Sequence, residues 1–388
     1  MQLNFTPEEQ AFRHEVRAWL QANAPTGKRP KEGAAMREFD TAWQRKQYEA
    51  GWGGISWPAQ YGGKGLPLSQ QMIWFEEYAR AGAPAPGSMF VALNHGGPTL
   101  IVRGTPEQKA FHLPRILRGE SVWCQGFSEP WAGSDLAGLR AKGVVDGDHL
   151  VVTGQKIWTS YATVANYQEL LVRTDPAAPR HKGITWVICD MKLPGITVRP
   201  IQAMPGYSPF CEVFYDEVRI PLSNVVGQIN DGWNVAMSTL SFERGTALIC
   251  YQVELERTVE RLIALAGEVT GPDGIRAAIA HDDIACALAR LRTEAAALRA
   301  MNYLTLSRSS RQDVPGAEST MAALYFGELL NRVHRVALEV LGPLSIERAG
   351  ISDVWGFGYL DAFKQTIAGG TSEIRRNIIG ERVLGLPR

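Results

Sequence analysis

A loop rich in small and hydroxyl-bearing residues follows the first β-rich run of the chain. Residues 128–135 read SEPWAGSD. Gly133 and its small neighbours allow backbone amides to approach a polar ligand closely, and Ser128 and Ser134 can donate hydrogen bonds. A plain turn is the default interpretation of such a composition. The combination of small residues with hydroxyl groups favours a loop that holds a phosphate or the edge of a flavin.

One carboxylate lies on the apolar face of a predicted helix. The residues of this face recur at spacings of four, three and four: Ala236, Leu240, Glu243 and Ala247. Arg244 is turned about 100° away from them. Desolvation on such a face raises the pKa of a carboxyl group toward the operating pH, which suits a general base. A buried ion pair with an arginine elsewhere, or a different buried face, is the alternative.

Several constellations that indicate other chemistry are missing from the sequence. It contains no Walker loop, no G-x-G-x-x-G after a strand, no H-E-x-x-H and no G-x-S-x-G. A Rossmann-type cofactor site is therefore not expected. The seven histidines are isolated along the chain, which favours solvated or core histidines over metal ligands. We predict no metal site.

Composition and charge narrow the class of protein. At about 150 residues per domain, 388 residues predict two or three domains or one large multilayer unit. Lys plus Arg and Asp plus Glu are both 40, without long runs of either sign, so nucleic acid is not an expected partner. Every apolar stretch is shorter than the ~20 residues of a spanning helix, which argues against stable membrane insertion.

The cysteines and the first residues bear on location. The five cysteines are scattered and include no C-x-x-C pair, which favours reduced thiols. Residues 1–5 have neither the charge nor the apolar run of a targeting peptide, and helix signals begin at Thr6. A cytoplasmic location is therefore expected.

Helix signals dominate the first third of the chain. Capping boxes begin at Thr6 and at Thr105, each with proline at the first helical position. The helix that follows Thr105 is predicted to end near Gly119. Apolar periodicity predicts further helices near residues 35–50, 68–82 and 88–103.

Short β-rich runs fill the middle third. They lie near residues 122–127, 150–153, 167–172, 184–190, 196–200 and 213–220. The residues DGD at 146–148 predict a hairpin. An antiparallel barrel or sandwich is expected.

Four long helices are predicted in the last third and indicate a bundle. They lie near residues 231–266, 275–309, 317–342 and 371–384. The order of helices, then strands, then helices argues for an α+β fold with segregated layers. The expected domains are an N-terminal helical domain at 1–121, a middle antiparallel β-domain at 122–226 and a C-terminal four-helix bundle at 227–388.

Three segments taken in order resemble the acyl-CoA dehydrogenase family. They are SEPWAGSD at 128–135, GQKIWTS at 154–160 and AGGTSEIRR at 368–376. The likeness spans nearly the whole chain and includes GTPEQK at 104–109 and IIGERVLG at 378–385. The resemblance implies the same domain order. It also implies FAD bound without a Rossmann fold, between the β-domain and the C-terminal bundle, with part of each site supplied by a neighbouring subunit.

The resemblance also implies flavin contacts residue by residue. Those of the first flavin loop are Gln125, Phe127, Ser128, Gly133 and Ser134. Trp158 would cover the flavin ring, and Ser160 would meet its N5 edge. Late contacts would come from Thr371 and Glu373. For Trp158 the alternative is an ordinary core aromatic of the β-domain.

The catalytic position departs from the commonest family pattern. Many members carry the catalytic glutamate directly before the Gly-Thr of the C-terminal motif, where this chain has Gly369, preceded by Ala368. Relatives of isovaleryl and long-chain type carry the base on an earlier helix, immediately before an arginine. Phe242-Glu243-Arg244 matches that arrangement. The resemblance therefore implies that Glu243 is the base.

The implied activity is α,β-dehydrogenation of an acyl-CoA thioester to the 2-enoyl-CoA. Glu243 would remove the α-proton while the β-hydrogen leaves as hydride to flavin N5. The backbone N–H of Gly369, next to Gly370 in the substrate-binding turn, and a ribityl hydroxyl would polarise the carbonyl. Arg244 and Ser134 are further candidate substrate contacts. Small residues at 368 and 369 are compatible with a branched, cyclic or otherwise bulky acyl chain.

The resemblance implies an electron-transfer flavoprotein as electron acceptor and a homotetramer. The family's Arg-x-x-Phe-Gly contact to the neighbouring FAD is not recognisable between Glu254 and Ile275, and VLGP at 340–343 replaces the usual Leu-Gly-Gly. Two alternatives follow. One is a non-catalytic or half-site subunit of a mixed acyl-CoA dehydrogenase oligomer, and the other is a flavin oxidase or monooxygenase on the same fold.

Overall fold

The computed structural model describes residues 5–243, 248–309, 319–347 and 350–387. Over these ranges a seven-stranded sheet is preceded and followed by helices. The helices are α1 (Pro7–Asn23), α2 (Gly33–Glu49), α3 (Leu68–Arg80), α4 (Gly97–Arg103), α5 (Pro106–Leu117), α6 (Gly232–Glu243), α7 (Leu248–Glu268), α8 (Asp282–Ser309), α9 (Ser319–Leu341), α10 (Gly350–Ala362) and α11 (Ser372–Ile378).

Both predicted capping boxes form. The Thr6 hydroxyl accepts a hydrogen bond from the Glu9 amide at 3.2 Å, and the Glu9 carboxylate accepts one from the Thr6 amide at 2.9 Å. Thr105 and Gln108 make the reciprocal pair at the start of α5. Each box satisfies two backbone donors that lack partners inside the helix, which is why α1 and α5 begin where the sequence predicts.

The strands form one sheet. They are β1 (Trp123–Gly126), β2 (Lys142–Asp146), β3 (His149–Ser160), β4 (Tyr167–Arg173), β5 (Ile184–Asp190), β6 (Ile196–Ile201) and β7 (Phe210–Pro221). The order is β1-β4-β2-β3-β7-β6, and β5 pairs with β4. The predicted hairpin joins β2 to β3, with Asp146 opposite His149 and Gly147 at a φ of +60°.

The sheet departs from the predicted antiparallel arrangement at β4, which pairs in parallel with both β1 and β2. β1 pairs with β4 in parallel, with Trp123 opposite Tyr167. A parallel pair needs a long crossover, and here the loop after β1 and the β2–β3 hairpin supply it. Pairing of this kind depends on contacts more than forty residues apart, which a local pattern does not encode.

The chain divides into two compact units that do not follow its linear order. The sheet unit comprises residues 25–67 and 84–243, and therefore includes α2, α4, α5, α6 and the sheet. The helical unit contains α1, α3 and α7–α11. The domain boundaries that we place at 121 and 226 stay a prediction.

Each unit has its own apolar core. In the sheet unit, Leu100, Trp123 and Trp186 are fully buried in one cluster. In the helical unit, Leu262 and Leu329 are fully buried in another. Burial of a large apolar side chain stabilises a fold by about 1.5 to 3 kcal/mol, so these clusters hold the surrounding loops in place.

The predicted helices and strands differ from the structure at three elements and at several ends. The long helix predicted at 371–384 is the seven-residue α11 followed by a π-helical turn at Ile379–Val383. Helix α10 was not predicted; its sequence, GISDVWGFGYLDA, contains three glycines and lacks a clear polar face. The predicted helix at 88–103 divides into a short 3₁₀ turn, a π-helical turn at Ala92–Gly96 and α4. No helix among the described residues is long and apolar enough to cross a membrane.

Candidate active site

The loop after β1 is closed by a tight turn. The Glu129 amide donates to the Ala132 carbonyl and the Ala132 amide donates to the Glu129 carbonyl, both at 3.0 Å. Gly133 and Ser134 follow this turn and are exposed. A side chain added at Gly133 would meet no other atom within 4 Å. The backbone at Gly133 and the hydroxyl group of Ser134 are therefore accessible to an incoming ligand.

The end of β3 presents an aromatic ring to solvent. The register between β3 and β7 shifts between Lys156 and Thr159, and Trp158 lies inside this bulge. Its φ is +61°, a conformation that costs a non-glycine residue about 1 to 3 kcal/mol and is concentrated at functional sites. The Trp158 ring is 57% exposed and packs edge-on against Phe210 at 6.1 Å. Trp158 is therefore not an ordinary core aromatic.

The loop and the bulged strand meet directly. The Ile157 amide donates to the Ser128 carbonyl at 2.9 Å, which joins the backbone of the loop to the residue before Trp158. Ser160 closes the strand opposite Phe210 and is half-buried. The structure thus brings Ser128, Trp158 and Ser160 into one region of the sheet unit.

A buried ion pair lies beneath this region and was missed by the sequence analysis. Lys156 Nζ lies 2.8 Å from Glu129 Oε1, and both side chains are 0% exposed. Burial lowers the pKa of the Lys156 ammonium to about 8, although Glu129 opposes this shift. Two features of the sequence could have indicated this ion pair. Lys156 lies inside a β-rich run, and Glu129 lies inside a Gly/Pro/Ser loop.

Gln125 and Phe127 face the interior. The Gln125 amide donates to Glu169 Oε1 at 2.8 Å, and Glu169 in turn lies 3.2 Å from His95 Nδ1. His95 belongs to the π-helical turn, and such turns are frequent at functional sites. The Phe127 side chain is 4% exposed and belongs to the core of the sheet unit. Neither Glu169 nor His95 was a sequence-predicted site residue, and no motif marks them.

The C-terminal motif forms a glycine turn that leads into α11. Gly369 and Gly370 have φ values of +66° and +101°, which favour glycine. The Thr371 hydroxyl caps α11 by accepting from the Ile374 amide at 3.3 Å. Glu373 is exposed in the first turn, where backbone hydrogen bonding and the Thr371 hydroxyl lower the pKa of its carboxyl group. These four predicted residues all lie in the helical unit.

Arg375 supports this turn and was also missed by the sequence analysis. Its guanidinium donates to the carbonyls of Gln365 at 3.0 Å and of Ala368 at 2.8 Å. It is 8% exposed, so these bonds form away from bulk water. Because Ala368 directly precedes Gly369, Arg375 fixes the direction in which the Gly369 N–H points.

The predicted base is the last described residue of α6. Val235, Ala236 and Thr239 of this helix are fully buried. The side chain of Glu243 and the whole of Arg244 lie outside the described residues. Across the described ranges, no group of three or more His, Cys, Asp or Glu residues is placed to hold a metal ion.

The sheet unit presents an exposed aromatic ring next to a hydroxyl-bearing loop, and the helical unit contains a glycine turn before a capped helix. Both features are those that the resemblance to acyl-CoA dehydrogenases implies. The profile for the acyl-CoA dehydrogenase N-terminal domain matches residues 6–120, that for the middle domain residues 124–218 and that for the C-terminal domain residues 230–384. The chain belongs to the acyl-CoA dehydrogenase family.

Known relatives match over almost the full length of the chain. Acyl-CoA dehydrogenase IpdE1 of Mycobacterium tuberculosis is 38% identical over 393 residues, which cover 97% of each chain. The solved structure titled Tcur3481-Tcur3483 steroid ACAD has a TM-score of 0.87 at 33% identity and covers 100% of both chains. The ChsE4-ChsE5 complex from Mycobacterium tuberculosis has a TM-score of 0.84 at 32% identity, also with 100% coverage of both.

FAD is the cofactor of this enzyme, and the residues present fit it. The exposed Trp158 ring on a strained backbone offers a flat aromatic surface. The open space around Gly133 would admit a polar ligand up to the backbone. FAD has a planar ring system, which suits the aromatic surface, and a polyhydroxyl and pyrophosphate tail, which suits the accessible backbone.

Proposed function

We propose that this acyl-CoA dehydrogenase oxidises the CoA thioester of a bulky, steroid-derived acyl group to the 2-enoyl-CoA. The observation that carries the dehydrogenation is the outward-facing Trp158 ring on the bulged strand, next to the loop that contains Ser128. The substrate class rests on the likeness to the steroid ACAD and on the small residues Ala368, Gly369 and Gly370, which leave room for a wide acyl group.

The glycine turn supports a base that comes from elsewhere in the chain. With a φ of +66°, Gly369 holds a conformation that strains any L side chain, so this turn is suited to offer a backbone N–H rather than a carboxylate. We infer that Glu243 takes the α-proton instead. Ser134 and Arg244 are proposed to contact the substrate, and Gln125, Phe127, Ser160, Thr371 and Glu373 to contact FAD with Ser128, Gly133 and Trp158.

The residues of the chain divide the chemistry as follows. A bound FAD would supply the acceptor for the β-hydrogen and its electron pair. The Gly369 N–H stabilises negative charge on the thioester oxygen, which acidifies the α-carbon. Glu243 would receive the α-proton as the general base. Trp158 shields one side of the ring from water.

A thioester panel with an artificial electron acceptor tests the substrate class. Steroid-derived acyl-CoA substrates should give a kcat/KM at least tenfold above those of straight-chain substrates, because a cleft shaped for a wide acyl group leaves a narrow chain poorly packed. A preference for a straight chain would contradict the proposed substrate. Flavin identity is measured on the same preparation, and release of FMN instead of FAD would contradict the assigned site.

A half-site subunit is the second candidate function. Two solved relatives are each named for a pair of proteins, Tcur3481 with Tcur3483 and ChsE4 with ChsE5. We propose a homotetramer for this chain, in which the neighbouring subunit completes the flavin site. The homotetramer and the half-site subunit can be distinguished on the chain purified alone, by light scattering and by the ratio of flavin to chain. A tetramer with one FAD per chain supports the homotetramer, and a flavin-poor chain supports the half-site subunit.

The electron acceptor is proposed to be an electron-transfer flavoprotein. Rapid reoxidation by this protein and slow reoxidation by oxygen are expected, and rapid peroxide formation would favour the oxidase or monooxygenase alternative. The cytoplasmic location expected from the composition stays a prediction.

A further inference from the structure

The buried Lys156–Glu129 ion pair joins β3 to the loop that follows β1. Lys156 lies on β3 two residues before Trp158, and Glu129 directly follows Ser128 in the loop. Both side chains are 0% exposed. Burial of two charges is costly, and such a pair is a poor source of stability compared with apolar residues of the same size. Its presence therefore calls for a role other than stability.

The pair ties the start of the loop to β3 and to the residues directly before β2. Lys156 Nζ donates to the Phe127 carbonyl at 3.0 Å as well as to Glu129 Oε1. The Glu129 carboxylate also accepts from the amides of Arg140 at 2.7 Å and Ala141 at 2.8 Å. One ammonium group thus holds the start of the loop, and the carboxylate it pairs with holds residues 140 and 141, directly before β2.

We propose that Lys156 and Glu129 are positioning residues that hold the loop of residues 127–135 at the spacing from Trp158 that FAD requires, and thereby set the rate at which FAD leaves. The proposal rests on the proposed placement of the flavin against this loop. Neither side chain can touch FAD, because both are completely enclosed by protein. They act through the backbone of Ser128 and through the bulge at Trp158.

The charge state of the pair changes near neutral pH. Burial lowers the pKa of Lys156 to about 8 against the pull of Glu129. Two further titratable groups couple electrostatically to Glu129, Arg173 on β4 and Tyr215 on β7. The arginine stays cationic, and burial raises the pKa of Tyr215 well above its usual value, so the tyrosine stays neutral. Lys156 is thus the member of this group that titrates between pH 7 and 9.

Loss of this proton has opposite effects on flavin retention and on folding. Above pH 8 the neutral amine holds the loop less tightly, so FAD should leave faster. Because the folded pKa lies below that of the unfolded chain, the unfolded chain binds more protons between pH 8 and 10.5, and the contribution of Lys156 to folding stability rises with pH. A purely structural role predicts only the second effect.

FAD release from the full-length holoenzyme tests the proposal. Flavin fluorescence is followed after dilution, from pH 7 to pH 9. Wild type should release FAD several-fold faster at pH 9 than at pH 7. The double variant Glu129→Gln with Lys156→Met keeps the shape of both side chains without charge. It should release FAD about tenfold faster at pH 7, the effect of losing one or two buried hydrogen bonds, with a flat pH profile.

A second readout reports on the loop itself. Hydrogen exchange at the Arg140 and Ala141 amides should become faster in the double variant, since both donate to the Glu129 carboxylate. Arg13→Met is the matched control, because it breaks a buried ion pair with Glu76 and Glu77 in the helical unit. It should lower stability without changing FAD release.

The outcomes separate this proposal from the placement of the flavin. If Trp158→Ala accelerates FAD release and the double variant does not, the positioning role is wrong and the flavin placement stands. If neither change accelerates release, the flavin lies elsewhere. Should the double variant fail to fold, the single variant Glu129→Gln takes its place, and unchanged FAD release together with unchanged exchange at the Arg140 and Ala141 amides would overturn the proposal.

Discussion

At the scale of single residues, substitution of Glu243 is expected to have the largest effect on activity. The glycine at 369 cannot take a proton, so the proposed mechanism has no other base. Glu243→Gln keeps shape and polarity. It should retain FAD and bind thioester, yet lose roughly 10² to 10⁴ in turnover, the usual contribution of a positioned general base. Stopped-flow bleaching of the flavin by substrate measures this loss.

The control is Glu268→Gln, which changes an exposed glutamate at the end of α7 and should leave turnover intact. Bleaching of Glu243→Gln at the wild-type rate would place the base elsewhere or make the chain a non-catalytic subunit. The double change Glu243→Gly with Gly369→Glu should restore part of the activity. Full restoration is not expected, because the left-handed turn at residue 369 strains a glutamate.

Trp158 makes a separate prediction about the cofactor. An aromatic stacked on an extended ring contributes about 0.5 to 1.5 kcal/mol beyond the area it buries. Trp158→Ala should therefore weaken FAD roughly threefold to tenfold, as measured by titration of the flavin-free chain. Trp158→Phe keeps an aromatic face and should bind FAD nearly as well as wild type. Equal affinity of the alanine variant would show that the ring does not contact the flavin.

At the scale of elements, close packing of Trp57 against the start of α4 depends on glycine. A side chain at Gly97 would lie 2.1 Å from a ring carbon of Trp57. Trp57 is 3% exposed and its indole N–H donates to the Leu93 carbonyl at 3.1 Å, so the ring has little freedom to move. Gly97→Ala should lower the free energy of unfolding by about 1 to 3 kcal/mol.

The matched control lies on α7, where a side chain at Gly267 would meet nothing within 4 Å. Gly267→Ala should raise stability by about 0.5 to 1 kcal/mol, because alanine favours a helix over glycine. Denaturant unfolding of both variants measures the difference. If the two substitutions have the same effect, contact with Trp57 is not the reason that position 97 requires glycine.

At the scale of the whole molecule, buried histidines predict sensitivity to acid. Burial lowers the pKa of His112 in the sheet unit and of His334 in the helical unit to about 4 each. In the unfolded chain these groups titrate near 6.5, so the unfolded state binds more protons between pH 4 and 6.5. The free energy of unfolding should therefore fall as the pH falls through this window, by up to about 3 kcal/mol per histidine.

Denaturant unfolding at pH 7 and at pH 5 measures this effect. The double variant His112→Gln with His334→Gln lacks both titrating groups and should show a smaller decrease over the same window. An unchanged decrease would assign the acid sensitivity to carboxylates instead. His149→Gln is the control, since this ring is partly exposed and its replacement leaves both buried histidines in place, so the decrease should stay as in wild type.

Local sequence determined the elements whose causes lie within a few residues. The capping boxes at Thr6 and Thr105 and the hairpin at Gly147 form as predicted, because their partners are three residues apart or less. The α+β class and the family follow from the order of such elements and motifs. Helix α10 escaped prediction, since its glycines mask a helix that packing stabilises.

Tertiary structure alone decided the rest. The pairing of Lys156 with Glu129 joins residues 27 positions apart, and that of Gln125 with Glu169 joins residues 44 apart. The outward ring of Trp158 depends on a register shift against β7, and α1 and α3 group with helices from the end of the chain. The packing of whole elements decides which buried polar groups pair. In the low-dielectric interior an unpaired polar group is costly, so such a group is paired even when its partner is distant along the chain.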